Sequence, residues 1–379
     1  MSDTTTIIKT AEQAEPGQEI AGRTNLIGLD MEELKALMAS LGLEPFRAKQ
    51  LWHWIYVRGI TSFDEMNNIA KTARAKLNDH CVIERAKFVQ DLTSSDGTRK
   101  WLLEFADGTQ IETVFIPEAD RGTLCISSQV GCTLSCTFCH TGTQRLVRNL
   151  KASEIVGQVL SARDALGEWE LPSEERMISN IVFMGMGEPL FNYDHVKRAC
   201  ELLTNRDGFG LSRRKVTIST SGVVPKMQAM TDEIGVNLAI SLHAIRDELR
   251  NEIVPINRKY KLEELLDAMR YYSKVHPSRR IMIEYVMLKG VNDSDDDALQ
   301  MVKLLKDIPV KMNLIPFNPW PGSPYECSSN NRIHAFKRIL QEHHISTPIR
   351  KTRGQDILAA CGQLKSESEL KKGQKVKLR

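Results

Sequence analysis

The sequence has 379 residues, of which 41% are hydrophobic and 26% are charged, a composition typical of a globular protein of one large domain with appendages or of two domains. No run approaches the roughly 18 apolar residues of a membrane span, and the polar N-terminus lacks the apolar core of a secretion signal, so we expect a cytoplasmic protein that does not enter a membrane. The net charge of +3 lies at the C-terminus, because 365–379 carries +4 and the other residues sum to −1; such a tail is typical either of a solvated terminus or of an arm that follows a phosphate backbone.

The chain divides into five predicted segments. Residues 1–27 carry neither a helical nor a strand period, and we expect them to be disordered. Residues 28–85 place apolar side chains at three- and four-residue steps, which predicts a helical accessory domain; its tryptophans beside basic residues favour contact with a macromolecule. Residues 86–120 alternate with a period of two around two Asp-Gly turns, which predicts three short antiparallel strands. Strands and helices alternate in 121–350, which predicts a parallel sheet, open or rolled into a barrel, and 351–379 remains as a C-terminal segment with a basic tail.

A cluster of three cysteines follows the first strand of the predicted barrel. Cys132, Cys136 and Cys139 are spaced by four and three residues, among eight cysteines that are otherwise scattered. A scattered set is not the framework of a small disulfide-rich secreted domain, so metal binding or catalysis is favoured for the cluster. Three thiolates on one loop can bind three irons of a 4Fe–4S cubane. The fourth iron then stays open and can chelate the amino and carboxylate groups of S-adenosylmethionine.

Two other kinds of metal site have different requirements. A structural zinc ion takes four ligands, usually from two separated pairs, and His140 as the fourth ligand would strain the tetrahedron because it adjoins Cys139. An electron-transfer ferredoxin supplies a fourth cysteine further along the chain. The spacing instead resembles the radical S-adenosylmethionine (SAM) superfamily. This resemblance implies an α/β fold, a partial (β/α)6 barrel, that holds one 4Fe–4S cluster.

The ends of the later strands carry polar residues, which collect on one rim of such a barrel. Gly187 and Glu188 follow the second strand, where glycine lets the backbone approach a ligand and the carboxylate can accept from an ammonium or a ribose hydroxyl. Placed after the iron–sulfur loop, the Gly-Met-Gly-Glu-Pro run resembles the superfamily's GGEP-type element, which holds the methionyl amine. The other residues that we predict to bind the cofactor are Ser219, Ser241, Leu242, His243 and Asn318.

Two isolated cysteines extend the resemblance. Cys125 precedes the cluster, and Cys361 lies near the C-terminus beside Gly362 and three basic residues, whose charge favours the nucleophilic thiolate. With the cysteine cluster, the GMGEP, SLH and PFNP segments and the AACGQL run, they closely resemble the RlmN/Cfr family of RNA methyltransferases from about Leu29 to Gln363. The helical domain and the proline that ends GMGEP fit the RlmN branch better than the Cfr branch. The three basic residues are Arg350, Lys351 and Arg353.

The resemblance implies methylation of adenine carbon-2, an electron-poor position that cannot attack a sulfonium methyl group by itself. Cys361 first takes a methyl group from one S-adenosylmethionine. The cluster reduces a second S-adenosylmethionine to methionine and a 5′-deoxyadenosyl radical, which abstracts hydrogen from that methyl group so that its carbon adds to the base. Loss of the ring proton and attack by Cys125 then resolve the covalent protein–RNA intermediate and leave a Cys125–Cys361 disulfide. Glu112 matches the family residue proposed to remove the ring proton, and the Cys125 thiolate is the alternative.

The resemblance also implies the partners of the reaction. They are 23S ribosomal RNA at the peptidyl-transferase centre, tRNA at the purine after the anticodon, and an electron donor such as flavodoxin or ferredoxin; we expect a monomer. Three alternatives stay open. A Cfr-like enzyme would methylate carbon-8, a glycyl-radical activase would not need Cys125 and Cys361, and a zinc-dependent RNA-binding module would need neither GMGEP nor the barrel. Basic residues available to the RNA backbone are Arg145, Arg148, Lys151, Arg213 and Arg214.

Overall fold

The N-terminal part of the protein is a small helical module. The computed structural model describes residues 19–119, 121–172 and 175–368. The first helix begins at Asp30, whose carboxylate accepts a hydrogen bond from the Glu33 amide while the Glu33 carboxylate accepts one from the Asp30 amide, a capping box that stops the helix from unwinding. The module consists of Glu19–Ile20 (β1), Arg23–Asn25 (β2), Met31–Ser40 (α1), Arg47–Tyr56 (α2), Lys71–His80 (α3) and Cys81–Val82 (β3).

The prediction of disorder for residues 1–27 is wrong for residues 19–27, and residues 1–18 lie outside the described part of the chain. β1 and β2 form an antiparallel pair, and β2 continues into a parallel pairing with β3. Leu26 and Ile27 follow directly and are fully buried. Strands of two or three residues are too short to show a period of two in the sequence, which explains why this sheet was not predicted.

Three antiparallel strands continue the main sheet rather than standing apart from it. Lys87–Thr93 (β4), Arg99–Glu104 (β5) and Gln110–Pro117 (β6) pair in hairpin order, and β6 then pairs antiparallel with the first strand of the barrel. The two Asp-Gly turns lie in the hairpin loops, where both glycines have positive φ. These three antiparallel strands extend the barrel sheet at one edge. The longer sheet offers more surface on which other segments can pack.

Six parallel strands form the partial barrel, in the region 121–350 where strands and helices are predicted to alternate. Together with the antiparallel strands they make one nine-stranded sheet, whose two edges are the last barrel strand and β4. The α/β fold class, with its helical module and antiparallel strands, is therefore confirmed. The strands are Gly122–Cys125 (β7), Ile178–Phe183 (β10), Val216–Thr220 (β11), Asn237–Ser241 (β12), Ile281–Met287 (β13) and Val310–Pro316 (β14), and between the first two lies a short hairpin, Gln129–Val130 (β8) and Arg148–Asn149 (β9).

Helices connect the parallel strands and bury one face of the sheet. Strand alternation sends Ile240 and Ile283 into the core, while the next residues, Ser241 and Glu284, line a cavity at the opposite face. No helix of the described residues is long and apolar enough to span a membrane. The helices are Ala152–Leu166 (α4), Tyr193–Thr204 (α5), Val224–Glu233 (α6), Asp247–Ile253 (α7), Leu262–Val275 (α8), Asp295–Leu304 (α9) and Asn330–Glu342 (α10).

The helical module is fastened to α4 and α5 of the barrel. Arg198 of α5 pairs with the carboxylates of Asp30 and Glu33, so the residues that cap α1 also hold the module in place. Gly28 lies against Ser153 at the start of α4 with a φ of +92°. Trp52, which the sequence offers as a contact for a macromolecule, is instead buried against the Tyr56 ring at 4.6 Å between ring centroids. Of the two tryptophans in the helical module, Trp52 and Trp54, only Trp54 is partly exposed.

Gly28→Ala tests this junction. A Cβ atom at residue 28 would lie 2.8 Å from the backbone of Ser153, and the positive φ would strain any side chain. We expect a loss of about 1–3 kcal/mol in the free energy of unfolding, measured by denaturant unfolding. Gly108→Ala is the matched control, because Gly108 has a φ of +80° with no atom within 4 Å of the added carbon. Equal losses in the two variants would show that the contact with Ser153 does not matter.

Candidate active site

The three clustered cysteines lie on the loop between β7 and α4 and line a single cavity at the C-terminal ends of the parallel strands. The short β8–β9 hairpin closes the base of this loop. Gly131 is required where the loop leaves β8, since its φ is +77° and a Cβ atom would lie 2.2 Å from the Arg145 carbonyl oxygen. The loop therefore brings Cys132, Cys136 and Cys139 to the same space.

Burial controls the charge of these thiols. Removal from water raises the pKa of Cys136 to about 12, with a further rise from the charge of Cys139. Burial likewise raises the pKa of Cys132 and of Cys139. Thiols of this kind ionise when a cationic metal centre offsets the cost of burial, because a coordinating thiol is deprotonated by the metal. The donor set thus fits a metal cluster and does not fit three solvated thiolates.

The arrangement favours a cluster with an open iron over a zinc site. The His140 ring stacks on Trp320 with centroids 4.9 Å apart, and its Nδ1 lies 3.2 Å from the Gln363 carbonyl oxygen, which can only accept. His140 is also absent from the residues that line the cavity with the three cysteines. In the part of the chain that the structure describes, no group of three His, Cys, Asp or Glu side chains could hold a single metal ion. A cubane does not need such a group, because each thiolate binds a different iron.

The glycine and glutamate after β10 shape the cavity beside the cysteines. Gly187 has a φ of +100°, and a Cβ atom there would lie 2.5 Å from the Gln129 side chain, so only glycine fits. Both oxygens of the buried Glu188 carboxylate accept backbone hydrogen bonds, from Leu190 at 3.1 Å and from Ser221 at 2.8 Å. Burial raises the pKa of Glu188, while these amides lower it. The amides thereby fix the orientation of the carboxyl group toward the cavity.

The other predicted cofactor residues divide into two groups. Ser219, Ser241 and His243 line the cavity. His243 Nδ1 accepts from the Val286 amide at 3.1 Å, and burial followed by the charge of Arg250 lowers the pKa of His243 to about 3. The ring is therefore neutral, with its proton on Nε2.

Leu242 and Asn318 lie outside the lining of the cavity. Leu242 is fully buried, and its backbone carbonyl accepts from Arg250. Asn318 reaches the site indirectly, since its side-chain amide donates to the carbonyl of Cys361 at 3.2 Å. Both residues therefore act around the cavity, Leu242 through its carbonyl contact with Arg250 and Asn318 through the backbone of Cys361.

The structure brings the two isolated cysteines together. Cys125 ends β7, and Cys361 lines the cavity from the C-terminal segment. Burial, followed by the charge of Cys361, raises the pKa of Cys125 to about 12. Both are free thiols. Two cysteines that are 236 positions apart in the sequence thus lie close enough for the charge of Cys361 to act on the Cys125 thiol.

Arg350 lines the cavity and lies close enough to both thiols for their charges to act on it. The charges of Cys361 and Glu284 raise the pKa of Arg350, which therefore stays positive. Its guanidinium is 3.6 Å from Glu284 Oε2 and 3.9 Å from the sulfur of Met184. Of the three basic residues expected near Cys361, only Arg350 has this place, because Lys351 is exposed and Arg353 pairs with Asp96 at 3.8 Å.

Glu112 is not among the residues that line the cavity. It is buried on β6, where its Oε1 pairs with Lys100 Nζ at 2.7 Å and its Oε2 accepts from the Lys365 amide at 2.9 Å. Burial raises the pKa of Glu112, and Lys100 acts in the opposite direction. The carboxylate therefore lies under the C-terminal segment that carries Cys361.

Two buried charged residues at the site were not predicted. Arg250 donates to the carbonyls of Ser221 at 2.7 Å, of Ser241 at 3.1 Å and of Leu242 at 3.0 Å, so it ties the ends of β11 and β12 together. Glu284 lines the cavity and accepts from Asn313 at 2.9 Å. A single sequence offers no signal for either, because a charged residue in a helix or strand looks like a surface residue until its neighbours are known.

Comparisons with known proteins agree with this architecture. Residues 24–83 match the family described as ribosomal RNA large subunit methyltransferase N-terminal domain, and residues 126–302 match the radical SAM superfamily. A radical SAM methyltransferase from Sphaerobacter thermophilus superposes with a TM-score of 0.85 at 41% identity, over 90% of this chain and 98% of that one. Radical SAM proteins bind a 4Fe–4S cluster and S-adenosylmethionine.

Curated relatives are similar in sequence to this chain over both the helical module and the barrel. The dual-specificity RNA methyltransferase RlmN of Rhodospirillum rubrum is 59% identical over 91% of this chain and 81% of its own length. The protein of the same name from Gluconobacter oxydans is 57% identical over 95% of this chain and 90% of its own length. The chain therefore belongs to the RlmN family of radical SAM RNA methyltransferases.

Proposed function

We propose that this enzyme methylates carbon-2 of adenine in 23S ribosomal RNA and in tRNA through a methyl group carried on Cys361. The observation that carries the proposal is the position of Cys361, which the C-terminal segment returns to the cavity of the three clustered cysteines, close to Cys125. The relatives' names, which specify dual-specificity RNA methyltransferases, support both classes of RNA. A glycyl-radical activase would have no use for the second pair of cysteines.

The cavity residues divide between two cofactors. Cys132, Cys136 and Cys139 would hold the 4Fe–4S cluster, and the residues beside them would hold S-adenosylmethionine. When bound, the cluster supplies the electron that cleaves S-adenosylmethionine and so provides the radical. Two molecules of S-adenosylmethionine are used in each turnover, one as methyl donor and one as radical source. The residues that would hold S-adenosylmethionine are Gly187, Glu188, Ser219, Ser241 and His243, with Leu242 and Asn318 in support.

Cys361 acts first, as a nucleophile. Its thiolate attacks the methyl carbon of the donor, a carbon–sulfur bond forms, and the sulfonium sulfur leaves as S-adenosylhomocysteine. Arg350 lines the same cavity and stays positively charged, so it supplies a cation near the sulfur that attacks. Gly362, with a φ of +82°, keeps the chain next to the sulfur free of side-chain atoms.

Cys125 acts last, to release the product. Addition of the carbon radical leaves one unpaired electron on the adduct. Loss of the ring proton together with this electron, for which the oxidised cluster would be the acceptor, leaves a closed-shell thioether between Cys361 and the base. The Cys125 sulfur then attacks the Cys361 sulfur and a disulfide forms. The electron pair of the broken carbon–sulfur bond stays on carbon, which takes up a proton and becomes the methyl group. A thiol reductant must then reduce the disulfide before the next turnover. Either Glu112 or Cys125 accepts the ring proton, and both lie on adjacent strands of the same sheet.

A second surface suits the RNA backbone. Arg206, Arg213, Arg214 and Arg279 line a cleft of about 600 Å³, whose described lining contains no acidic residue. The cleft lies at the start of β11, and the cavity lies at the other end of this five-residue strand. At about 3.3 Å per residue, the strand separates the two by about 16 Å. The Phe209 ring of the same loop contacts Tyr56 of the helical module, so module and cleft adjoin.

The basic residues predicted to contact RNA differ in whether the structure leaves them exposed. Arg148 pairs with Glu154 and Asp107, each at 2.7 Å, and is therefore used within the protein. Arg145 and Lys151 are exposed and stay available to RNA. The basic tail beyond residue 368 lies outside the described residues. A flavodoxin- or ferredoxin-like electron donor, a monomeric state and a cytoplasmic location stay predictions from sequence.

Cys361→Ala should abolish catalysis at the first step. The wild-type enzyme, reconstituted with cluster and supplied with S-adenosylmethionine, should gain the mass of one methyl group and produce 2-methyladenosine in RNA, because Cys361 carries the methyl group to the base. The variant should do neither. Cys327→Ala is the control, since Cys327 lies outside the cavity, and it should do both. Intact-protein and nucleoside mass spectrometry measure the two products, and 8-methyladenosine would contradict carbon-2 as the target.

Cys125→Ala should trap the enzyme on its substrate. Without the resolving sulfur, the covalent protein–RNA intermediate should accumulate and appear as a nuclease-sensitive shifted band under denaturing conditions. The double variant Cys125→Ala/Cys361→Ala should give no such band, because it cannot form the bond to RNA. Normal turnover of Cys125→Ala would rule out its resolving role.

Arg213→Gln/Arg214→Gln tests the arginine cleft. Loss of two phosphate contacts should weaken RNA binding uniformly across sequences, and should reduce the slope of log K against log salt by about 1 per contact. Fluorescence anisotropy with labelled RNA at several salt concentrations measures this slope. Lys289→Gln is the control, because Lys289 pairs with Glu326 on another loop. An unchanged slope would show that the cleft does not contact RNA.

A further inference from the structure

The segment that carries Cys361 has little regular structure of its own. A short 3-10 turn, Gln355–Ile357, precedes it, and no helix or strand follows in the described residues up to Ser368. Leu358 and Gly362 both have positive φ, at 52° and 82°. A segment of this kind has no helical or strand hydrogen bonds to fix it, so its position depends on contacts with the rest of the protein.

One buried ion pair supplies contacts on both sides of the cysteine. Lys100 of β5 and Glu112 of β6 lie on neighbouring antiparallel strands, and their side chains are only 9% and 7% exposed. Lys100 Nζ lies 2.7 Å from Glu112 Oε1. Lys100 Nζ also donates to the Leu358 carbonyl at 3.3 Å, and Glu112 Oε2 accepts from the Lys365 amide at 2.9 Å.

These contacts bracket the nucleophile. Leu358 lies three residues before Cys361 and Lys365 four residues after it, so each member of the pair holds one arm of the loop. The pair cannot shift without cost, because a buried charge that loses its partner is left unsolvated. Other contacts each hold a single point of the segment: the Ser94 hydroxyl donates to Asp356 at 2.6 Å, the Asn318 amide to the Cys361 carbonyl at 3.2 Å and the Thr141 hydroxyl to the Leu364 carbonyl at 2.5 Å.

We infer that the Lys100–Glu112 pair is a positioning device for Cys361, fixing the loop 358–365 so that the sulfur lies in the cavity beside Cys125. The inference rests on the proposed function in one respect, the role of Cys361 as the methyl carrier. It gives Lys100 a role that no sequence motif indicates. It also gives Glu112 a role in the first step of the reaction, which is separate from removal of the ring proton in a later step.

A role of the pair in positioning Cys361 and a role of Glu112 as the base predict defects at different steps of the reaction. If the pair positions Cys361, breaking it should slow the appearance of the methyl group on the protein, before any RNA is present. If Glu112 serves only as a base, the methyl group should appear at the normal rate and the covalent RNA adduct should accumulate instead. A displacement of about 1 Å at a reacting atom is enough to cost about 100-fold in rate.

The experiment compares Lys100→Met with Lys100→Arg in the cluster-reconstituted enzyme. In Lys100→Met, the backbone amides of residues 358–368 should lose their protection from hydrogen exchange. The rate at which Cys361 gains a methyl group should fall about 100-fold. Lys100→Arg keeps a cation that can reach both partners and should restore most of the protection and rate. Arg99→Met is the matched control on the same strand, because Arg99 pairs with Asp91 and contacts no residue of the loop; it should match the wild type.

A further variant separates positioning from stability. Lys100→Met/Glu112→Leu replaces the ion pair with apolar side chains of similar size, which commonly preserves folding. It should unfold at a normal temperature but methylate Cys361 as slowly as Lys100→Met. Wild-type protection and wild-type methylation in either Met variant would overturn the inference. If the wild-type enzyme itself gained no methyl group, the proposed function would fail, and hydrogen exchange would still decide whether the pair anchors the loop.

Discussion

The cost of burying sulfur is the constraint around which this site is organised. Four cysteines line one cavity and Cys125 lies close enough to be affected by the charge of Cys361, and burial raises the pKa of Cys125 and Cys136 to about 12. Two arginines oppose this effect. The charge of Arg250 favours the thiolate of Cys136, and that of Arg350 favours the thiolate of Cys125. The clustered cysteines and the pair Cys125 and Cys361 are thus influenced by different buried cations.

The barrel explains how such a site is assembled from distant parts of the chain. Parallel strands that end at the same edge deliver Ser219, Ser241 and Glu188 to one rim, because strand alternation reserves the other face for the core. The C-terminal segment then crosses this rim and adds Cys361. Its contacts reach the cysteine loop at His140 and Thr141 as well as β6 at Glu112. The loop of the three clustered cysteines and the segment that carries Cys361 are therefore joined by direct hydrogen bonds.

The additions to the barrel have distinct physical roles. The antiparallel strands extend the sheet and supply the Lys100–Glu112 pair beneath the C-terminal segment. The helical module is fixed to the outer helices through Arg198, next to the arginine cleft. A base taken from RNA into the cavity must be unstacked, and a backbone contact at some distance from the cavity can hold the RNA while one nucleotide leaves the stack.

Sequence alone determined the elements whose signals are local. The cysteine spacing, the glycine turn of Gly187 and the alternation of strands and helices all depend on residues close together in the chain. The fold class could therefore be predicted, together with the part of the cavity lining that the three clustered cysteines, Gly187, Glu188, Ser219, Ser241, His243 and Cys361 provide. Short strands at 19–25 gave no periodic signal and were missed, and Trp52 looked available until its partners were known. Only the tertiary structure decided that Arg250 and Glu284 are buried at the site and that Lys100 holds Glu112. Those roles depend on contacts between residues far apart in the chain, where desolvation and pairing set the charge of each group, and one sequence does not record such contacts.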